Sequence, residues 1–462
     1  MIIKKYDHNY GRRQLLKNMA VGAAAGVLMP LDKLFAAGAD LAKAYPDEIM
    51  SIDMYTKGKI NTGDYLTADN VDIVKELLDP IVFDQIKTMG RRIKIRPTTT
   101  DFSVMFPAEF HAKTIENMNN GVTAIFDKQG NVITKDGKNW TGGLPFPSPK
   151  TGAEIQANLA MSWGRADYNQ YAINDTVFNP DGTKAYDYEF IWAELQVQAR
   201  LDGTVFRNMK DLLRFQTVYF TSTQDVAGSS FLSTWYYDQA KFPELYGYLP
   251  QFRRVRQFPT NQRFEPLIPG VTWFLSDPWA AGDPMLTWGD YKVIERKPML
   301  GGFNAKWNGD DENWRAGTHG GPNGDTFWDT DYELSPEVAI LESKPVGYPR
   351  APVGRRLAYI DMRNNMYCGN IRFDRQDKPW VNFETNFGQY KLGDKVVLGP
   401  DGKSPAWSWI NIHSFDAQTR RMSRAAHQKE NKGGHKSEFS FDHDKAYSRF
   451  FTQQALQRLG QV

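Results

Sequence analysis

The chain has 462 residues, long enough for two or three domains or one large β domain. Its net charge is +2, of which the first 39 residues carry +4. About −2 is left for the rest, which excludes the basic footprint of a nucleic-acid or anionic-membrane binder. The single cysteine, Cys368, excludes an intramolecular disulfide and a cysteine-ligated iron–sulfur cluster, so stability must come from burial.

The N-terminus reads as an export signal. Arg12 and Arg13 lie in Gly11-Arg-Arg-Gln-Leu-Leu-Lys17, followed by a weakly apolar run from Met19 to Met29 and then by small residues. These are the parts of a twin-arginine signal, with an ordinary secretory signal as the alternative. Cleavage is expected after Ala37-Gly38-Ala39, or failing that after Ala42-Lys43-Ala44, which places the mature chain in the periplasm. The run is shorter than the ~20 apolar residues that span a bilayer, and none of that length follows, so no membrane span is expected in the mature chain.

Residues 40–150 read as a helical and irregular lead-in. Val71, Val74, Leu77 and Leu78 predict a helix over 67–78, and Asp79-Pro80 opens a second one to residue 89. Short extended runs fill 91–139. Residues 140–150, with three prolines and two glycines, form an ordered loop into a helix over 152–163 with Thr151 as cap. Ile155, Leu159 and Trp163 make one stripe on it.

From about residue 187 the period becomes two. Ile191, Ala193, Leu195, Val197 and Ala199 read as the dry face of a strand, and Glu194, Gln196, Gln198 and Arg200 as the wet face. Strands follow at 213–221, 231–239 and 248–257. Residues 301–331 read as a glycine-rich acidic surface excursion. Residues 356–361, 366–374 and 379–384 form a meander, and 419–445 a polar tail before a helix at 448–459.

These elements predict an α+β protein: a large curved antiparallel sheet, an open half-barrel wrapping helices, over 151–425, with 426–462 as polar tail and helix. Such a sheet leaves an apolar cleft. The candidate lining is Ile155, Leu159, Trp163, Ile191, Leu195, Val197, Phe215, Tyr219, Trp235 and Tyr237, with Arg253, Arg254 and Arg256 as a polar rim that orients a head group.

No catalytic motif is present: the chain lacks a zinc-protease helix, a nucleophile elbow, a phosphate loop and a dinucleotide fingerprint. His427, His435 and His443 are eight apart, but Gly433-Gly434 breaks any helix that would align them, so they read as a solvated tail. Asp310, Asp311, Glu312, Asp325, Asp329 and Asp331 lack the spacing of a calcium loop and read as a solvated one. No metal, cofactor or catalytic residue is expected. The reading is a carrier of a hydrophobic ligand. The alternatives are a cofactor- or metal-bearing exported enzyme and a glycan binder using Trp307, Trp314 and Trp328.

Trp140-Thr-Gly-Gly-Leu-Pro-Phe-Pro-Ser-Pro-Lys-Thr-Gly152 resembles the Gly-Gly-x-Pro-Phe-Pro-x-Pro-x-x-Gly segment of domain-of-unknown-function family 1329. Tyr248-Leu-Pro-Gln-Phe-Arg-Arg-Val-Arg256 is similar to its arginine-rich strand, and residues 355–361, Phe373-Asp374 and Trp380 to its closing meander. The resemblance covers roughly residues 45–425. It implies the fold of the lipoprotein carriers LolA and LolB, an open half-barrel round helices with a hydrophobic cavity. It also implies an RND-type exporter or an outer-membrane protein as partner, and carries over no catalytic residue.

Overall fold

A computed structural model describes residues 45–460 except 162–163, 223–224, 260–262, 267, 278–282, 306–311, 393–394, 400 and 440–441. The expected export signal and its cleavage sites lie outside the described residues, as do Trp163, Trp307, Asp310 and Asp311.

Among the described residues, fifteen strands form one open sheet. Two are short: β1 (Tyr65–Leu66) and β2 (Ile93–Ile95). A first meander contains β3 (Tyr168–Phe178), β4 (Lys184–Gln196), β5 (Leu212–Ser222), β6 (Ser230–Tyr236), β7 (Glu244–Leu249) and β8 (Arg254–Phe258). A second contains β9 (Gly289–Gly301), β10 (Asp331–Lys344), β11 (Val353–Asp361), β12 (Met366–Asp374), β13 (Pro379–Gln389), β14 (Trp407–Asp416) and β15 (Met422–Gln428). Within each meander every strand pairs antiparallel with the next. The two join where β15 pairs β3, with His427 opposite Ile173 and Met422 opposite Phe178. The sheet is mixed because β2 pairs parallel to β10.

The helices are α1 (Pro80–Thr88), α2 (Ala108–Asn119), α3 (Gly152–Met161), α4 (His443–Phe450) and α5 (Gln453–Leu459), besides two single turns at Asp47–Met50 and Ile52–Tyr55. Helix α3 shows how far the sheet curls. Its first residue, Gly152, lies against the Tyr291 carbonyl of β9 and the Leu341 side chain of β10. At its other end Gln196 Nε2 of β4 donates to Met161 O at 2.7 Å, and Arg214 Nη1 of β5 to Ala160 O at 3.0 Å. In a flat sheet β10 and β4 would stand seven spacings, roughly 33 Å, apart. A ten-residue helix spans only about 15 Å, so the sheet must wrap it.

Several elements differ from expectation. Residues 67–78 hold a 3₁₀ turn, Val71–Leu77, kinked at Val74. Helix α2 stands where extended runs were expected. Residues 248–257 are two strands, because the chain turns at Pro250–Phe252 and Arg253 adopts a left-handed φ of 50°. The final helix is two. Residues 422–428, expected in a polar tail, are a fully buried central strand. The 301–331 region is no surface excursion in its described part: Thr318–His319 pairs with Phe327–Trp328, and both Phe327 and Trp328 are buried.

Both faces of β3, β5 and the second half of β4 are buried. On the outer face Ile191, Ala193, Leu195, Val197, Phe215 and Tyr219 pack beneath Ala446, Phe450, Phe451, Leu456 and Leu459 of the C-terminal helices. On the inner face Glu194, Gln196 and Gln198, expected to be wet, are buried; Arg200 is buried too, but turns to the outer side, where it meets His443 of α4 and the Phe206 ring. Each is satisfied internally: Glu194 accepts from Trp192 Nε1 and Gln216 Nε2, and Gln198 donates to two backbone carbonyls. Gln196 and Arg214 cap carbonyls that the end of α3 leaves open. Strict alternation separates two faces but does not say which one meets water.

Candidate functional site: an apolar cleft at the seam

The inner face is most apolar where the meanders meet. β3 contributes Tyr171 and Ile173, and β4 contributes Phe190 and Trp192. From the second meander come Phe383, Thr385 and Phe387 of β13, Trp409 and Ile412 of β14, and Ala425 of β15. Trp273 closes the group from a segment that crosses between β8 and β9. These residues surround a void of about 40 Å³. Thr385 is the one lining residue without a ring or a purely apolar side chain.

In its described part the crossing segment is a strap rather than a strand. Thr272 N–H donates to Ser423 Oγ at 3.0 Å and Thr272 Oγ1 to Ser414 O at 2.6 Å. Trp273 Nε1 donates to Asp175 Oδ2 at 2.6 Å, and Tyr188 Oη to Pro269 O at 2.9 Å. Ile268, Val271, Trp273 and Leu275 are its buried face. Burial pushes the Asp175 carboxyl up to about 7, and the Trp273 hydrogen bond only partly offsets that.

A second void of about 30 Å³ lies on the far side of Phe383, bounded by Tyr332, Tyr359, Asn382 and Glu384 among others. Glu384 is fully engaged. Arg91 donates to both its oxygens at 2.7 Å and Tyr332 Oη to Oε1 at 2.6 Å, with His413 Nδ1 3.6 Å away. Burial works to raise its pKa, but Arg91 and then His413 outweigh that and hold it well below the usual range. His413 is held neutral, at about 4, by burial and by the nearby Arg91 charge. Its Nε2 accepts from Trp328 N–H at 3.0 Å. Burial lifts the Cys368 thiol far above its ordinary pKa. A locked carboxylate, a capped imidazole and an inert thiol make a structural knot, without a free base or nucleophile in it.

The sequence-predicted residues divide three ways. Ile155, Leu159, Trp235 and Tyr237 are on the inner side, in the core around the cleft, without lining the void. Tyr237 instead pins the proline-rich loop: its hydroxyl accepts from Trp140 N–H and donates to Val132 O, each at 2.6 Å. Ile191, Leu195, Val197, Phe215 and Tyr219 face outward beneath the C-terminal helices, so the expected lining has the wrong phase. The facing set, Phe190 and Trp192, lay on the same side of the strand as Glu194 and Gln196, and those polar neighbours hid it. Arg253, Arg254 and Arg256 are exposed on the hairpin and edge strand β8, where Arg256 stacks on Phe252 at 4.0 Å. None of the three is among the residues that line the seam cleft. They suit an edge strand, where charge discourages pairing with another chain.

Of the other readings, Trp328 is buried and Trp314 half-buried against Tyr390, so neither offers an exposed ring to a sugar. Asp325 pairs with Lys184 at 3.0 Å, and Asp329 with His319 at 2.8 Å. Among the described residues no group of three or more His, Cys, Asp or Glu is placed to hold a metal, and no helix is long and apolar enough to cross a membrane.

An open, mostly antiparallel sheet curled round one helix, with an apolar seam on the inside, defines an α+β half-barrel. The chain belongs to the family described as Protein of unknown function (DUF1329), whose model matches residues 65–457. Among solved structures it is similar to a DUF1329 family protein from Desulfovibrio piger ATCC 29098, at 13% identity over 60% of this chain and 90% of that one, with a TM-score of 0.40. It is also similar to a Vibrio parahaemolyticus protein described as an outer membrane lipoprotein-sorting domain, at 12% identity over 66% and 97%, TM-score 0.39. A LolA superfamily protein from Nitrosomonas europaea matches at 12% identity over 66% and 100%, TM-score 0.36. A search of curated proteins gives no match.

Proposed function

We propose that this protein is a periplasmic, non-enzymatic carrier that shelters a hydrophobic molecule in the seam cleft and passes it to an RND-type exporter or an outer-membrane protein. The observation that carries the reading is the cleft itself: a void walled by rings and aliphatic groups of both meanders, covered by a strap that is held by side-chain hydrogen bonds and the buried Arg372–Asp277 ion pair instead of strand pairing. Ligand pockets run to about 300–1,000 Å³, so a void of about 40 Å³ is the closed, unloaded form. Loading means lifting the strap. The ligand then takes over the apolar surface that Val271, Trp273 and Leu275 cover. At ~25 cal/mol per Å², an exchange of surface for surface is nearly balanced, and affinity comes from the excess the ligand buries. Near balance suits a protein that must also let go.

The test is titration with a fluorescent apolar probe, N-phenyl-1-naphthylamine, together with mass spectrometry of organic extracts of the natively purified protein. Saturable binding is expected, and Ala425→Leu, which fills the void from β15, should weaken it at least tenfold. A melting curve serves as the check on folding, since overpacking costs about 1–3 kcal/mol. An extract free of lipid together with no saturable binding, or binding indifferent to Ala425→Leu in a folded protein, overturns the reading.

A further inference from the structure

Hydrophobic burial alone does not choose among oily molecules, but a buried polar atom packed directly behind the cleft's lining does. His427 lies on β15 two residues past Ala425, opposite Ile173 of β3, and both of those residues line the void. Its ring stacks on Tyr171 with centroids 4.6 Å apart and lies 3.7 Å from the Trp409 ring; Tyr171 and Trp409 are also lining residues. His427 Nδ1 meets the Tyr390 hydroxyl, and the same hydroxyl meets the Trp409 carbonyl.

This triangle fixes the tautomer. A carbonyl only accepts, and a phenol has one proton to give. The Tyr390 proton therefore goes to Trp409 O, and the Tyr390 oxygen accepts from His427 Nδ1–H. Burial holds the imidazole well below its ordinary pKa, so the ring carries no second proton. Nε2 is thus a bare acceptor. It is buried in a residue only 1% exposed, and it has no hydrogen-bond partner among the described residues. A buried acceptor left unmet costs roughly 1–3 kcal/mol, which a ligand recovers by supplying a donor. A second unmet atom flanks the same rings: Trp407 Nε1–H of β14, whose indole stacks on the lining residue Phe387 at 5.0 Å.

We infer that the cleft is built for a neutral amphiphile bearing a hydroxyl group, a long-chain alcohol, whose chain lies among the rings while its O–H donates to His427 Nε2. The inference rests on the carrier reading above. The hydroxyl oxygen keeps lone pairs for a donor such as Trp407 Nε1–H. An ether or ester has no proton to give. A carboxylate has none at neutral pH, and it would bring an unpaired charge into an apolar site beside a lone pair. Three ligands of equal chain length therefore separate by head group.

The experiment displaces N-phenyl-1-naphthylamine from the full chain with dodecanol, methyl dodecyl ether or dodecanoate at pH 8. Dodecanol is expected to displace at a concentration about fivefold lower than either of the others, the worth of one neutral hydrogen bond. His427→Phe should bring the three midpoints together, and His427→Gln, which keeps an acceptor oxygen, should restore the order. Should both variants misfold, ring-nitrogen NMR of the unaltered protein gives the answer. The His427 Nε2 resonance should be that of an unprotonated nitrogen, and should move with dodecanol but not with the ether. Equal displacement by all three, a preference that survives His427→Phe, or a protonated Nε2 overturns the inference and leaves the carrier reading standing. Failure of the probe itself to bind overturns the carrier reading on which it rests.

Discussion

Asp175 sits beneath the strap with no exposed surface and one strong donor, Trp273 Nε1. Its carboxyl, pushed up to about 7 by burial, stays protonated in the folded protein at pH values where the unfolded chain has released its proton. Between about pH 4 and pH 7 the folded state therefore binds more protons than the unfolded one, and stability falls as pH rises through that window. Asp175→Asn keeps an oxygen for Trp273 and removes the charge. It should stabilise the protein above pH 7 by something on the order of 2 kcal/mol and have little effect below pH 4. Thermal melts at pH 8 and at pH 4 measure the difference, and an equal shift at both would refute the assignment. Asp175 faces the same side as Tyr171 and Ile173, which line the cleft.

Among the elements, α3 is the one whose placement the sequence announced best. The proline-rich segment before it, the Thr151 cap (Glu154 N–H to Thr151 Oγ1, 3.2 Å) and the Ile155/Leu159 spacing are all visible in the chain, and the helix forms there. Asn158 then clasps the preceding loop by exchanging two 2.8 Å hydrogen bonds with Phe146. Gly152 is fixed by crowding: a Cβ on it would come within 2.8 Å of the Tyr291 carbonyl oxygen. Gly152→Ala should cost about 1–3 kcal/mol despite the better helix propensity of alanine, because the neighbour is backbone and cannot rotate away. Chemical denaturation measures it, and a neutral or stabilising change would show that the helix can shift. Helix α2 was illegible for a physical reason. Its buried positions are Phe110, Thr114 and Asn117, at helical spacing, but two of the three are polar and leave no apolar stripe to read. The hairpin at 249–254 was legible in principle, since Pro250 interrupts the run, yet the apolar residues on either side read as continuous. The faces of β4 could not be assigned from β4 alone. Which side is covered depends on helices about 250 residues later in the chain, and the candidate lining took the wrong side for that reason.

For the molecule as a whole, the sheet is sealed twice: inside by α3 and the strap, outside by α4 and α5. The terminal pair is not an appendage. Phe450, Phe451, Leu456 and Leu459 bury against β4, β5 and neighbouring strands, and at ~1.5–3 kcal/mol per large side chain these four contribute roughly 8 kcal/mol, comparable with the whole stability of a typical domain. A chain ending at Asp442 should therefore be insoluble or lack a cooperative melt. A soluble, cooperatively unfolding truncation would show that the outer face needs no cover.

The pairing of β3 with β15 ties together residues about 250 apart in the chain. While the polypeptide is being made, the first meander is complete long before its partner strand leaves the ribosome. In that interval β3 presents a bare row of amide and carbonyl groups, and its outer neighbours lack their helices. Contacts of such long sequence separation make for slow folding and for a period of vulnerability to aggregation. Until Gln428 has emerged that edge lacks its partner strand, and only the finished polypeptide can draw the two halves shut.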